Sequence, residues 1–356
     1  MRTLRGWTGV ALLLGSLLVL SACSGVESEG DQQPTAQPDQ GSAEPEAPED
    51  PGAPEDPGAP EDPVLPAGAR TVPVGFGPVG VAAGAGAVGA GAVWVAESGA
   101  DSVSRIDPTT GEITATVAVP QTPLRVAVGL GSIWVTSFSG EQLVRLDPSG
   151  KVRATLDTGA GPEGVTTGLG SVWLVAQDAG RLLRVDPEST EITQRIRIGV
   201  GARLVTTGAG RVFVSHFKDD RVLAINPVSG EVQRSKVLCS GPQGMALVKG
   251  LLWVACTFDD QVVALDPQTL AVRHTVEVLG APDAVRLGPG GEVLVLAQAG
   301  PALVHIDPVA ASVTDRSELG VLGSLNDQAN LDLVVAGRTA WVSSFKDDVV
   351  IAVPLG

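Results

Sequence analysis

The chain predicts an all-β fold: a seven-bladed β-propeller made of four-stranded antiparallel blades. Three observations carry that expectation. An Asp-Pro or Asn-Pro pair begins at Asp107, Asp147, Asp186, Asn226, Asp266 and Asp307, in steps of 40, 39, 40, 40 and 41 residues. Thirteen positions before each stands a large apolar residue: Trp94, Trp134, Trp173, Phe213, Trp253 and Leu294, and a seventh copy has Trp341 with Pro354 at its thirteenth position. No helical period runs anywhere between these markers. Repeats of 40 to 50 residues build solenoids or propellers, because each unit needs neighbours to bury its apolar face. Short strands without helices select the propeller.

One repeat shows how each strand is specified. In the copy from Gly161 to Gly199, Gly164-Val165-Thr166-Thr167 is a short first strand, turned by Gly168-Leu169-Gly170. Val172 to Ala176 is an almost wholly apolar second strand, as expected of a layer covered on both faces. Arg181 to Val185 is the third. Ile192 to Ile198 alternates apolar with polar, as a half-exposed outer strand should. Turn chemistry agrees: a glycine precedes the large apolar slot by three residues at Gly91, Gly131, Gly170, Gly210, Gly250 and Gly291. In the Asp-Pro pairs the Asp side chain caps the turn and Pro presets φ.

The same register closes the ring. Thr71 to Gly75 matches the fourth strand of the other units, whereas the last copy ends after its third strand, Val349 to Val353. The N-terminal strand is therefore expected to complete the last blade and to cover two edges that would otherwise lie open.

The segment before the repeats has a different character. Arg2 and Arg5 precede an apolar run from Val10 to Leu20, the pattern of a secretory signal and too short to span a bilayer. It ends in Leu20-Ser21-Ala22-Cys23, which resembles the bacterial lipobox. That resemblance implies cleavage after residue 22 and lipid on Cys23, which would anchor the chain in the membrane by its buried methylenes. Ser24 in place of Asp at the next position points to the outer membrane or cell surface of the bacterial envelope rather than the inner membrane. Residues 24–69 hold 12 acids, no Lys or Arg and ten prolines, with the hexapeptide Ala47-Pro48-Glu49-Asp50-Pro51-Gly52 repeated. Fixed φ angles and like charges keep such a segment extended, so it reads as a disordered tether. The expected organisation is a signal peptide over 1–22, a lipidated Cys and tether over 23–69, and a propeller over 70–356.

Composition narrows the function. The chain carries 24 Lys and Arg against 40 Asp and Glu, a net charge of −16. With the acidic tether and Arg2 and Arg5 set aside, 22 bases and 28 acids remain on residues 70–356, a net of −6. Nucleic-acid binding depends on neutralising phosphates, and no basic stripe is present to do it.

The repeat also carries a family resemblance. Gly77-Pro78-Val79-Gly80-Val81, then Ala92-Val93-Trp94-Val95-Ala96, then Val103-Ser104-Arg105-Ile106-Asp107-Pro108-Thr109-Thr110-Gly111-Glu112 resembles the YVTN/YncE-type repeat of seven-bladed propellers. It is also similar to the related streptogramin-lyase propellers. The lyase resemblance implies two histidines and a glutamate on neighbouring blades with a magnesium ion. His216 lies at the end of a second strand where such a residue would stand, but the equivalent on the next blade is Cys256 and no second His joins it. His274 and His305 fall on outer-strand and third-strand positions. The lyase set is thus incomplete.

Framework slots repeat, whereas positions expected at the channel mouth vary: Glu97, Arg125, Glu163, Arg203, His216, Gln243, Asp283 and Asp332. Mixed charges around one opening suit a polar small molecule or a peptide; uncommitted surface varying freely is the bland alternative. The turns containing Phe217 to Asp220, Phe258 to Asp260 and Phe345 to Asp348 read as solvated, with a calcium or partner patch as the other reading. Cys239 and Cys256 are expected on one face, where an oxidising compartment permits them to pair; two free thiols are the alternative. The expectation is a monomeric, membrane-tethered extracytoplasmic module that binds a protein, peptide or polar ligand, with no catalytic residues, metal or cofactor. The rival is a metal-dependent hydrolase or lyase at the channel mouth, for which Glu163, Asp283 and Asp332 are the available acids.

Overall fold

A computed structural model describes residues 65–84, 91–320 and 332–356. The signal segment, Cys23 and the tether as far as residue 64 lie outside the described residues. All described residues belong to one compact unit, Pro60–Gly356.

Seven sheets of four antiparallel strands are arranged as successive blades. Blades 1 to 6 span residues 78–118, 123–157, 162–197, 202–234, 242–277 and 282–318, and blade 7 combines 333–354 with Arg70–Pro73. In blades 1 to 6 the strands run in sequence order from the axis outward. In blade 7 the outer place is taken by Arg70–Pro73, which pairs antiparallel with Val349–Pro354, Thr71 opposite Ile351 and Val72 opposite Val350. The ring is closed by the N-terminal strand. At the axis each innermost strand contacts the next, and that of blade 7 contacts that of blade 1.

The repeated apolar slot is the core between blades. Trp94, Trp134, Trp173, Phe213, Trp253, Leu294 and Trp341 are all fully buried. In blades 2 and 3 a third-strand arginine covers the indole and reaches on to the following blade. Arg145 lies 5.4 Å over Trp134 and donates to Glu188 O at 2.9 Å; Arg184 lies 5.6 Å over Trp173 and donates to Pro227 O at 3.4 Å. Arg70 does the same at the closure, 5.7 Å over Trp341 with Nη1 2.8 Å from Thr110 O in blade 1. Each such guanidinium combines a cation–π contact with hydrogen bonding to a turn of the following blade.

The repeated Asp-Pro carboxylates cap their own turns. Asp186 Oδ1 accepts from the amides of Glu188 and Ser189 at 2.9 and 2.8 Å, and Asn226 accepts from Val228 and Ser229 at 2.9 and 3.0 Å. These amide bonds, that of Ser189 first, hold the Asp186 carboxyl below its usual range. A second set of carboxylates joins neighbouring blades. Asp101, Asp220, Asp260 and Asp348, in turns between second and third strands, accept from Thr122, Gly241, Ala281 and Gly77 on the next blade at 2.8 to 3.0 Å. The Phe-Lys-Asp-Asp runs therefore include one aspartate spent on a seam. Cys239 and Cys256 are joined by a disulfide, with Cα atoms 5.7 Å apart, tying the approach to blade 5 to the end of its second strand.

Candidate functional site

The innermost strands of blades 1 to 6 each begin with a β-bulge, a device that re-aims the side chains around it, whereas that of blade 7 pairs regularly. The bulges fall between Pro78 and Val81, Pro123 and Arg125, Pro162 and Val165, Ala202 and Val205, Pro242 and Met245, and Pro282 and Ala284. Two positions at the start of the innermost strands supply six of the variable residues. The first carries Glu163, Arg203, Gln243 and Asp283 on blades 3 to 6. The second carries Arg125 on blade 2 and Asp332 on blade 7, but glycine on blades 1, 3 and 5. Those glycines are required by close approach. A Cβ on Gly164 would stand 2.5 Å from Arg203 O, and one on Gly244 would stand 2.3 Å from Asp283 O.

This convergence decides the burial of the site. Expected at an open mouth, Glu163, Gln243, Asp283, Arg125 and Asp332 are instead only 2 to 6% exposed. The innermost strands come close enough for their side chains to meet across the axis. Asp332 is held by Arg286 at 2.6 Å and Arg125 at 3.4 Å, and accepts from the Leu333 and Val81 amides at 2.8 and 3.3 Å. Arg203 grips Glu163 through Nη2 at 2.8 Å and Nε at 3.0 Å, and lies 5.2 Å over the Phe217 ring.

Asp283 differs from its neighbours. Its Oδ1 finds no hydrogen-bond partner among the described residues. Burial pushes its carboxyl up to about 6; Arg125 and Arg203 pull the other way, and Asp332 and Glu163 add to the rise. Asp283 on blade 6 is thus within electrostatic reach of charges on blades 2, 3, 4 and 7. Gln243 Oε1 and Arg125 Nε are likewise buried without a partner among the described residues.

From this cluster a cavity of about 370 Å³ runs along the axis towards the turns that join first and second strands. Arg125, Arg286 and Asp332 lie at its charged end. Thr166, Thr167, Thr206 and Thr207 line one flank, and Ala82, Ala83, Ala127, Val128 and Val334 line much of the rest.

Two of the variable residues lie apart from this cluster. Glu97 is fully buried at the seam between blades 7 and 1, where Oε1 accepts from Gly75 N at 2.9 Å and Oε2 accepts from the Ser102 hydroxyl. His216 packs against Gly199, with Nδ1 3.5 Å from Asp219 Oδ2. Cys256, at the equivalent place on blade 5, is committed to its disulfide. Among the described residues no three His, Cys, Asp or Glu side chains converge as a metal-ligand set.

Sequence reasoning missed Arg286 and the four threonines. The signal was present: Arg286 stands two residues beyond the bulge position occupied by Ala284, hence on the same face of its strand. The buried hydroxyls Thr136 and Ser343 belong to the same pattern. They stand two residues after Trp134 and Trp341, and bond Glu163 O at 2.9 Å and Val79 O at 2.6 Å on the next blade.

No family model and no curated protein matches the chain. Solved structures do. A streptogramin B lyase superposes with a TM-score of 0.69 at 16% identity, over 80% of this chain and 96% of that one. Virginiamycin B lyase from Staphylococcus aureus gives 0.68 at 15% identity, over 81% and 99%. Hydrazine synthase of Kuenenia stuttgartiensis gives 0.62 at 13% identity, over 79% and 96%. Proteins with such different names share the architecture, so the likeness describes the scaffold and leaves the chemistry to the site. In fold, this chain is a seven-bladed β-propeller similar to the streptogramin B lyases.

Proposed function

We propose that the protein is a binding module of the bacterial envelope, anchored by lipid on Cys23, with a polar ligand held in the axial cavity of its propeller. The observation that carries this reading is the state of the axial carboxylates. The Glu163 and Asp332 carboxylates are each engaged by arginine, and among the described residues neither carboxylate bonds a histidine, lysine or hydroxyl that it could activate. General acid–base and nucleophilic catalysis need a proton acceptor within reach of the reacting group. Fixed charges facing a small cavity suit holding a polar molecule. The long acidic tether gives such a module reach from the membrane surface.

The rival reading, hydrolysis or elimination at the axis, is favoured by one observation: the buried Asp283 carboxyl, whose Oδ1 has no hydrogen-bond partner among the described residues and whose raised pKa suits a base. One experiment separates the two. The full-length protein is screened by thermal shift against small polar compounds, and each stabilising compound is recovered and weighed by mass spectrometry. The binding reading expects unchanged compounds whose effect disappears when Ala127→Trp fills the cavity. Conversion of a compound, or stabilisation indifferent to Ala127→Trp, overturns it. Anchoring is checked by membrane fractionation, where Cys23→Ala should move the protein to the soluble fraction.

A further inference from the structure

We infer that the axial cavity takes a small organic monoanion bearing hydroxyl groups, of the hydroxy-acid or sugar-acid class. The inference rests on the binding reading above and names the ligand class for that same site.

Charge comes first. Two guanidinium groups, Arg125 and Arg286, line the cavity's charged end and share its one lining carboxylate, Asp332, whereas Asp283, which also faces Arg125, does not line the cavity. Asp332 already accepts from Arg286 and two amides and is ion-paired with Arg125, which engages the roughly four lone-pair sites a carboxylate offers. A ligand carboxylate would therefore add to the Asp332 interactions rather than displace them. Arg125 supplies the second, independent sign. It is 6% exposed, it lines the cavity, and its Nε has no hydrogen-bond partner among the described residues. A buried donor without an acceptor is costly, and an anion in the cavity would relieve that cost. Two lining guanidinium groups beside one lining carboxylate suit a single ligand carboxylate; a dianion would bring a second negative charge close to Asp332 and Asp283.

The walls define the remainder of the ligand. Thr166 and Thr206 present hydroxyls from blades 3 and 4, able both to donate to and accept from ligand hydroxyls. Ala82 and Val334, on blades 1 and 7, offer an apolar surface across the axis for a carbon skeleton. The volume, about 370 Å³, is near the lower end of small-molecule sites, which suits a molecule the size of a hexose acid rather than an oligomer.

The test is calorimetric titration of the full-length protein in detergent with D-glucuronate, D-glucose and D-glucosamine. Glucuronate should bind, with glucose at least about ten-fold weaker, as the loss of a charge-assisted contact dictates. Arg286→Gln should weaken glucuronate by a similar factor. Arg286 is part-exposed, and an unchanged melting midpoint would show that the ring survives. Ala127→Leu, which keeps every charge and shrinks the cavity, should also reduce binding and covers the case in which Arg286→Gln fails to fold. No binding of glucuronate, equal binding of glucose, or indifference to both substitutions overturns the inference. Binding of glucosamine in preference to glucuronate would overturn the anion class while leaving the binding module standing. Chemical conversion of any probe would overturn the binding module itself.

Discussion

Replacing Asp283 by Asn tests the electrostatics of the axis directly. The amide has nearly the shape of the carboxyl and stays neutral at every pH, so packing is conserved while ionisation is removed. Asp283 ordinarily would titrate near 3.8, but burial raises it to about 6 in the folded ring. Between those values the folded chain holds a proton that the unfolded chain has released. The stabilising contribution is therefore complete below about pH 3.8 and is lost as pH rises through about 6. At 1.36 kcal/mol for each unit of pH, the whole effect is about 3 kcal/mol. Most of it, about 2 kcal/mol, falls between about pH 4.5 and 7.5, where the other carboxylates can be compared safely. Urea unfolding of the native chain and Asp283→Asn would be measured across that interval. The stability of the native chain relative to the variant should fall by about 2 kcal/mol as pH rises, since contributions common to both cancel. Parallel curves would refute the reasoning, because they would mean that Asp283 ionises as freely in the ring as in water.

Three further outcomes are expected. Trp173→Ala, which empties a fully buried slot between blades, should cost about 3 to 5 kcal/mol in chemical unfolding, whereas Leu169→Ala on the exposed neighbouring turn should cost little. Replacing Cys239 and Cys256 together by Ser removes a link across a sequence separation of 17 and should cost about 3 kcal/mol; intact-mass analysis before and after reduction of the native chain would show the two hydrogens gained. Asp348→Ala leaves the Gly77 amide at the closing seam without its acceptor, at a cost of about 1 to 3 kcal/mol. Hydrogen exchange should then rise first in Arg70–Pro73, the strand that closes the ring.

The fold was legible because a propeller repeats its local rules. Trp173 and Asp186 mean the same thing in each blade, and a period of about 40 residues survives even where Phe213 or Leu294 takes the Trp place. The closure was legible for the same reason: a fourth strand stood at one end of the chain and was missing from the other. Hydrogen bonding then follows locally, as in the Asp186 turn, where donors and acceptor lie within three residues. The identity of the variable set was also visible as departures from the repeat, and Arg125, Glu163, Arg203, Asp283 and Asp332 do meet near the axis.

What those residues became on meeting was decided only in three dimensions. A sequence gives the phase of each strand but not the width of the ring, and the width determines whether the polar positions surround an opening or fill it. Here the strands approach closely enough that blades 1, 3 and 5 need glycine, and the charges are drawn out of water into one another's reach. Burial then raises Asp283, and pairing across the ring leaves Arg125 and Arg286 sharing Asp332. Glu97 and His216 show the converse: each follows the same local register, but its position at a strand end assigns it to a seam or a turn. Periodicity fixes the blade, whereas Coulomb energy and desolvation depend on distances between blades that only the closed ring defines.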